Sequence, residues 1–430
     1  MILDEHLKEL EFRLGDEHFL RPDYTRYSFA QIPALIEILL GTKQGVHPFA
    51  HTVLQHVRPQ PQNVVLLMID GFGYGQWLKY GESLPFFSQL LSKGALMPVT
   101  SVFPSTTAAS VTTICSGLTP QEHGLIDWHL YMEELDEIIY TLPFTTLDAR
   151  NQPDSLLQRG VDPKILFNGT SLFSRLGDRQ IDPYAILRRT YAKSAFGTVA
   201  QNGANIISYS SAPDMLVQLR QQLAAAKQRS YFYVYWDEID HISHVYEPHS
   251  EAYLAELNCL AHMLQTEFLE KVDRKTAENT VLLVTADHGQ VVMKPDEIIY
   301  LNQWTEVTEA LAKSPAGKTI YPWGNPRNVF LKVVDDRIDE VMAFLAKKLE
   351  GIASVVRSQA EADKGLFGVG IEHPQFRKRI GNILVLPYEG YSVWYQYPGH
   401  EKNKHRGMHG GMSREEMLTV LGFATLSDLL

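Results

Sequence analysis

The chain of 430 residues is poor in cysteine, holding only Cys115 and Cys259. Two thiols cannot build a disulfide framework in a chain this long, and no C-x-x-C spacing offers a zinc or redox motif. Long apolar runs are also lacking. The longest early one, "IPALIEILLG" (residues 32–41), is too short to span a bilayer and carries Glu37. The first residues, "MILDEHLKELEFRLGDEHF", are charged throughout and have no apolar centre of the kind a signal peptide needs, so a cytoplasmic protein without a membrane partner is expected. Blocks of like charge, internal repeats and low-complexity tracts are missing too. With 39 Lys and Arg against 50 Asp and Glu, the net charge is −11. This speaks against nucleic acid as a general partner, because such binding rests on cations neutralising phosphates. A small anion still fits an acidic protein if metal ions supply the local charge.

What the chain has is ordinary globular composition, 45% hydrophobic and 21% charged. Three short runs read as strands buried on both faces: "NVVLLMI" (63–69), "SYFYVYW" (230–236) and "TVLLVTA" (280–286). Helical patterns lie between them at 83–94 and 250–272, and "DPYAILRRTYAKSAFG" (182–197) also reads as helical. Buried strands alternating with helices predict an α/β fold, a mostly parallel sheet sandwiched by helices. Residues 293–400 read differently, as "NVFLKVV", an amphipathic helix at 335–351 and "NILVLPYEGYSVWYQY". That stretch is expected to form a small inserted α+β subdomain, leaving residues 1–292 with 401–430 as the core.

Each buried strand is followed by acid: Asp70, then Asp237 and Asp240, then Asp287. Ligands of open α/β sheets bind beyond the carboxyl ends of the strands, so these groups are expected to share one crevice. Crowded carboxylates repel and raise one another's pKa, and a divalent cation is the simplest remedy. After Asp70 comes Gly71-Phe72-Gly73-Tyr74-Gly75, which invites comparison with a dinucleotide loop. That fingerprint is G-x-G-x-x-G with its acid roughly 20 residues later, whereas here the acid precedes a G-x-G-x-G. In "EIDHISHVYEPHS", Asp240 and His244 stand i, i+4 on one helical face, a carboxylate and an imidazole suited to zinc or manganese. His241 and His249 fall off that face and read as structural or supporting groups. "TADHG" places Asp287 beside His288, and "HRGMHGG" sets His409 among glycines, with His405 as its competitor. Ser105, Thr106 and Thr107 stand where a Pro-containing turn enters an alanine-rich helix. They serve equally as plain N-caps or as a nucleophile held where helix N–H groups stabilise an anion.

Taken in order, Asp70, Thr107, Asp240-x-x-x-His244, Asp287-His288 and His409 resemble the alkaline phosphatase superfamily, and within it the type I phosphodiesterase/nucleotide pyrophosphatase family. The motifs that carry the likeness are Asp-Gly at a strand end, "FPSTTAASVTTICSGLTPQEHG", "DHISH", "ADHG" and "GMHGG". The resemblance implies one cation held by Asp240, His244 and His409, and a second by Asp70, Asp287 and His288, with the Thr107 oxygen on the second. Thr107 is preferred to Thr106 because its distance to Gly117 matches the family's spacing from nucleophile to T-G-L-x-P-x-x-H-G. Ser116 stands for the usual Thr of that segment. Three residues after the nucleophile this chain has Ser110 where nucleotide-cleaving relatives carry Asn, making Ser110 a substrate-binding candidate and leaving nucleotide specificity open.

The activity so implied is hydrolysis of a small phosphate ester, of phosphodiester or nucleotide pyrophosphate type, by in-line displacement between two cations. Thr107 attacks to form a phospho-threonine, which water then hydrolyses. Three imidazoles among the six protein ligands favour zinc, with manganese the alternative. Phosphomonoester or phosphonate hydrolysis is the alternative within the superfamily, and a catalytically silent binding protein the alternative outside it. Sulfatases need x-Pro-x-Arg after their nucleophile, and Cys115 is followed by Ser-Gly-Leu-Thr. Cofactor-independent phosphoglycerate mutases use Ser and carry their insertion directly after the nucleophile segment. The leaving group is expected to meet the 293–400 insertion and residues 125–200, where Trp128, Tyr131, Phe167 and Phe173 are either pocket or core.

Overall fold

Residues 63–69 form strand β1 (Asn63–Ile69), buried at every position, as a run apolar on both alternating faces requires. The computed structural model describes residues 1–45, 47–167 and 169–430. The other principal strands, in chain order, are β2 (Ala95–Thr100), β3 (His129–Met132), β4 (Glu137–Tyr140), β5 (Thr145–Thr146), β6 (Asp182–Arg188), β7 (Asn205–Tyr209) and β8 (Ser230–Trp236). They continue with β9 (Thr280–Thr285), β10 (Trp323–Asn325), β11 (Asn328–Leu331), β12 (Ala353–Arg357), β13 (Ile383–Pro387) and β14 (Leu418–Thr425).

These strands make two sheets of seven. The first runs β2-β14-β9-β1-β8-β6-β7. Its centre is parallel, with β1 between β8 and β9, and only β14 runs against its neighbours β2 and β9. Helices flank it: Pro85–Lys93 packs on β2 and β14, and Ala212–Ala225 on β6 and β7. This is the expected α/β architecture. The second sheet, β12-β13-β11-β10-β3-β4-β5, is antiparallel throughout. Strands β10 to β13 lie within the 293–400 stretch, while β3 to β5 come from residues 129–146, so this sheet joins that stretch to chain that precedes β6.

The segment 182–197 departs from its helical reading. Residues Asp182–Arg188 are strand β6, paired with β7 and β8, and a helix begins only at Ala195. Tyr184, Ile186 and Leu187 suit a pleated surface as well as a helix, and two waiting parallel neighbours decide between them. The helix expected over 250–272 is α-helical over Glu251–Met263 and continues through a π-helical turn and a short 3₁₀ turn to Lys271. Among the described residues no helix is long and apolar enough to cross a membrane.

One ion pair ties the sheets together. Arg327, in the turn between β10 and β11, donates through Nε and Nη2 to both carboxylate oxygens of Glu416, at 2.9 and 2.8 Å. Glu416 sits just before β14, and both side chains are fully buried. Glu416 also accepts from the Gly411 and Ser413 amides and the Ser413 hydroxyl. Burial works to raise its carboxyl, but the Arg327 guanidinium, helped by the Ser413 hydroxyl and the Gly411 amide, holds it below the ordinary range. Replacing Arg327 by Ala strands this carboxylate without its counter-ion, and a loss of about 3–5 kcal/mol is expected. Urea unfolding of Arg327→Ala checks it, and a midpoint equal to that of the parent would show the pair to be dispensable.

Candidate active site

Parallel pairing carries Ile69 alongside Trp236 and Met68 alongside Thr285, so β1, β8 and β9 end together. Asp70 follows β1, its amide donating to the Trp236 carbonyl at 2.9 Å. Asp287 follows β9, and helix α1 (Glu238–Tyr246), which bears Asp240 and His244, follows β8. A two-residue antiparallel pair, Val291–Val292 with Gly407–Met408, returns the chain beside them and delivers His409.

Around His288 Nε2 stand three oxygens: Thr107 Oγ1 at 3.3 Å, Asp287 Oδ2 at 3.3 Å and Asp70 Oδ1 at 3.4 Å. Both of these carboxylate oxygens are buried without a hydrogen-bond donor. Their partner oxygens are bound, Asp70 Oδ2 by the Tyr235 hydroxyl and Asp287 Oδ1 by the Gly71 and His288 amides. A second cluster adjoins the first. His244 Nε2 lies 3.2 Å from Asp240 Oδ2, and His409 Nε2 lies 3.5 Å from Asp240 Oδ1. Asp240, His244 and His409 present ligand atoms mutually within 4.8 Å, as do Asp70, Asp240 and His288, so Asp240 borders both groups.

All three imidazoles are oriented alike. Nδ1 of His244 faces the Gly407 carbonyl at 2.7 Å, that of His288 the Gly289 carbonyl at 3.1 Å, and that of His409 the Ser105 carbonyl at 2.9 Å. A carbonyl oxygen only accepts, so each Nδ1 carries the proton and each Nε2 turns its lone pair inward, the arrangement that metal-ligating histidines use.

The electrostatics agree with that chemistry. Burial drives Asp70 well above the ordinary carboxylate range, and Asp287 and Asp240 push it further. Burial likewise raises Asp287, against the pull of His288. For Asp240 burial is opposed and outweighed by His244, His409 and His288, which hold it below its usual value. His409 is kept far below the normal imidazole value by burial and by His288, whose ring stacks on it with centroids 3.5 Å apart. A crevice with three carboxylates, orphaned oxygens and inward lone pairs has the donor set of a site for divalent cations.

The three hydroxyls before the helix Thr107–Ser116 divide their work. Ser105 Oγ donates to the Gly411 carbonyl at 2.8 Å. Thr106 is the N-cap, accepting from the Ala109 amide at 3.4 Å and donating to the Ile126 carbonyl at 3.2 Å. Thr107 alone points to His288.

The glycines after Asp70 serve close packing. Gly71 takes φ +72°, and a Cβ on Gly73 would stand 2.5 Å from the Gly289 Cα, so the loop lies against the Asp287-His288 turn.

A family model for type I phosphodiesterase/nucleotide pyrophosphatase matches residues 64–412, spanning every residue named above from Asp70 to His409. The chain belongs to this family. Within this phosphodiesterase family, a venom phosphodiesterase of Crotalus durissus collilineatus is 25% identical over 264 residues, 59% of this chain. Those residues span only 29% of that relative's length. Murine ectonucleotide pyrophosphatase/phosphodiesterase 5 shares the fold with a TM-score of 0.63 at 17% identity, covering 84% of this chain and 87% of that one. The human counterpart gives 0.61 at 18%, with the same coverage. A further murine structure is an inactive threonine-to-alanine form in complex with AMP.

Other expected groups lie elsewhere. Ser110, a substrate-binding candidate in the sequence, is fully buried, and its hydroxyl turns to the Asp287 carbonyl at 3.5 Å; it links helix to strand end and is closed to a substrate. Asp237 is neutralised by Arg188 at 2.9 Å and lies outside both clusters. His249 bonds the Tyr80 hydroxyl at 2.9 Å, a structural contact as expected, and His405 packs against His244 with ring centroids 4.6 Å apart, leaving His409 to face Asp240. Tyr131, Phe167 and Phe173 are buried, Phe173 against Tyr231 in the core, so of the four aromatics only Trp128 is exposed.

Sequence reasoning missed Tyr235 on Asp70 and Gln290, whose amide donates to Asp240 Oδ1. Alternation along β8 could have flagged Tyr235, which falls one residue from the strand end. Gln290 directly follows the "ADHG" motif yet carries no pattern of its own.

Asp127 lies behind the His409 loop, fully buried, accepting from the Trp128 amide at 2.6 Å and from Asn325 Nδ2 at 3.1 Å. Burial pushes its carboxyl up to about 7 in spite of these bonds. A folded value above the unfolded one means that the fold favours the protonated acid. That contribution is complete below about pH 4 and lost as pH rises through about 7. The stability of the parent relative to Asp127→Asn is therefore expected to fall between those limits. Urea unfolding of both proteins at pH 5 and pH 8 measures it, and a difference independent of pH would contradict the assignment.

Proposed function

We propose that the chain hydrolyses small phosphate esters of the phosphodiester or nucleotide pyrophosphate type, with two divalent cations and a phospho-threonine intermediate. The observation that carries this reading is Thr107 Oγ1 standing beside His288 Nε2 where two sets of inward-facing donors meet. Asp240, His244 and His409 would hold one cation, and Asp70, Asp287 and His288 the other. Bound there, the ions would supply Lewis acidity that lowers the hydroxyl pKa and neutralises phosphate charge.

The residues do the rest. Thr107 gives up its hydroxyl proton to solvent, Oγ1 attacks phosphorus to form a Thr107–phosphate bond, and the bond to the leaving oxygen breaks on the opposite side. The departing alkoxide takes a proton from solvent. Water then adds to the phosphorus and Thr107 leaves, regenerating the hydroxyl. The first turn of the Thr107–Ser116 helix directs its N–H dipoles at this place and stabilises the extra negative charge. The three Nδ1–carbonyl bonds keep the imidazoles from turning away, and Tyr235 fixes Asp70. Zinc suits a set of three imidazoles and three carboxylates, with manganese second. The AMP complex of the murine relative supports a nucleotide-type ester as the substrate. A silent binding protein is disfavoured by the completeness of both donor sets.

Thr107→Ala should reduce turnover by at least about 10³-fold, with the metal content, measured by atomic emission, staying near two per chain. Undiminished activity would remove Thr107 as the nucleophile. For the substrate class, rates on bis-p-nitrophenyl phosphate and thymidine p-nitrophenyl ester are expected to exceed that on p-nitrophenyl phosphate. Chelator should abolish all of them and added zinc restore them. A faster monoester rate would place the chain among phosphomonoesterases.

A further inference from the structure

We propose that Asn328, on the second sheet, is a positioning residue for His409, acting through the peptide of Gly410. The inference rests on the proposed reading of His409 as a cation ligand, although its geometry does not. Asn328 opens β11 and is fully buried, in a strand position where Asn is ordinarily disfavoured and an apolar side chain would serve packing better. Its Nδ2 donates to the Gly410 carbonyl at 2.7 Å. On the other side of the same residue, the Gly410 amide donates to Ser105 Oγ at 3.2 Å, and His409 Nδ1 meets the Ser105 carbonyl. Both peptide planes of Gly410 are thus held, one by the turn that precedes Thr107 and the other by the second sheet.

The fit around Gly410 is close. Its φ is +118°, a conformation that favours glycine, and a Cβ there would stand 2.2 Å from Asn325 Nδ2. Asn325 is itself fixed, its Nδ2 on the Asp127 carboxylate and its Oδ1 accepting from the Arg327 amide at 2.8 Å. The loop therefore lies flat on the β10–β11 hairpin with Asn328 as its one direct side-chain hydrogen bond from that hairpin. Releasing this bond leaves the Gly410 carbonyl without its anchor while the Gly411 amide stays on Glu416, and so slackens the backbone that aims the His409 imidazole at Asp240. Groups that orient metal ligands in this way commonly change affinity by about 10–100-fold.

The test compares the zinc-loaded parent with Asn328→Ala, Asn328→Asp, and Asn382→Ala as control. Asn328→Asp keeps the shape and sets an oxygen against the Gly410 carbonyl, so it serves if the alanine variant does not fold. Asn382 is another buried Asn, directly before β13, bonded on both sides to the Val333 backbone and making no hydrogen bond to the His409 loop. Zinc affinity by chelator competition and amide hydrogen exchange of residues 407–413 are the readouts, with kcat and KM on bis-p-nitrophenyl phosphate beside them. In the Asn328 variants one zinc is expected to weaken at least about 10-fold while the other holds. Exchange should quicken over 407–413, and kcat should fall more than KM changes. Asn382→Ala should lower the melting temperature and leave both zinc ions in place. Wild-type exchange over 407–413 with both zinc affinities unchanged would overturn the proposal, as would an equal zinc loss in Asn382→Ala. A parent that takes up no cation would sink the proposed function instead, and exchange over 407–413 would then decide this inference by itself.

Discussion

Repulsion among three crowded carboxylates, two of them fully buried, is the constraint around which this molecule is built. Asp70 and Asp287, both fully buried, follow two of three adjacent parallel strands, and Asp240, partly exposed on the helix after the third, meets them at the same edge. Two of their oxygens have no donor at all. Grouping such charges away from solvent costs several kcal/mol per ion unless positive charge is brought to them. The side chains nearby are arranged accordingly. Tyr235 and two backbone amides satisfy the outward oxygens of Asp70 and Asp287, and Gln290 donates to Asp240 Oδ1, while three imidazoles have their protons tied to backbone carbonyls and their free nitrogens turned to the acids.

The sheet's parallel pairing makes this convergence possible, and the loops make it close. Strands running the same way end at the same edge, so a residue after each end arrives at a common place without any special sequence between them. The glycines then let the loop after β1 press on the Asp287-His288 turn, where a side chain at Gly73 would collide with Gly289. The second sheet belongs to the same construction. Its Arg327 pairs with Glu416 just before β14, and its Asn328 holds the loop of His409, so one side of the site is borne by strands far from the strand-end motifs.

Much of this was legible in the residues. Apolar runs at 63–69, 230–236 and 280–286 showed the sheet core because burial on both faces leaves no polar alternation. The i, i+4 spacing of Asp240 and His244 placed them on one helical face, and adjacency sufficed for Asp287 and His288. These are short-range facts. The segment 182–188 misled because its apolar residues satisfy a helix or a strand equally, and pairing with β7 and β8 breaks the tie. Ser110 misled for a similar reason: position along a helix says nothing of which neighbour its hydroxyl will face.

The sequence by itself determined the α/β class, the acidic strand ends and the set of residue types able to hold cations beside a hydroxyl, since each follows from local periodicity and side-chain chemistry. The family resemblance already favours Thr107 and His409, but only the tertiary structure turns Thr107, and neither Ser105 nor Thr106, to His288, sets His409 rather than His405 against Asp240, and brings Asn328 to Gly410. Those choices depend on contacts between residues as much as 304 positions apart, as between Ser105 and His409. Such contacts come into being only when the sheets close on one another, and no local pattern encodes them.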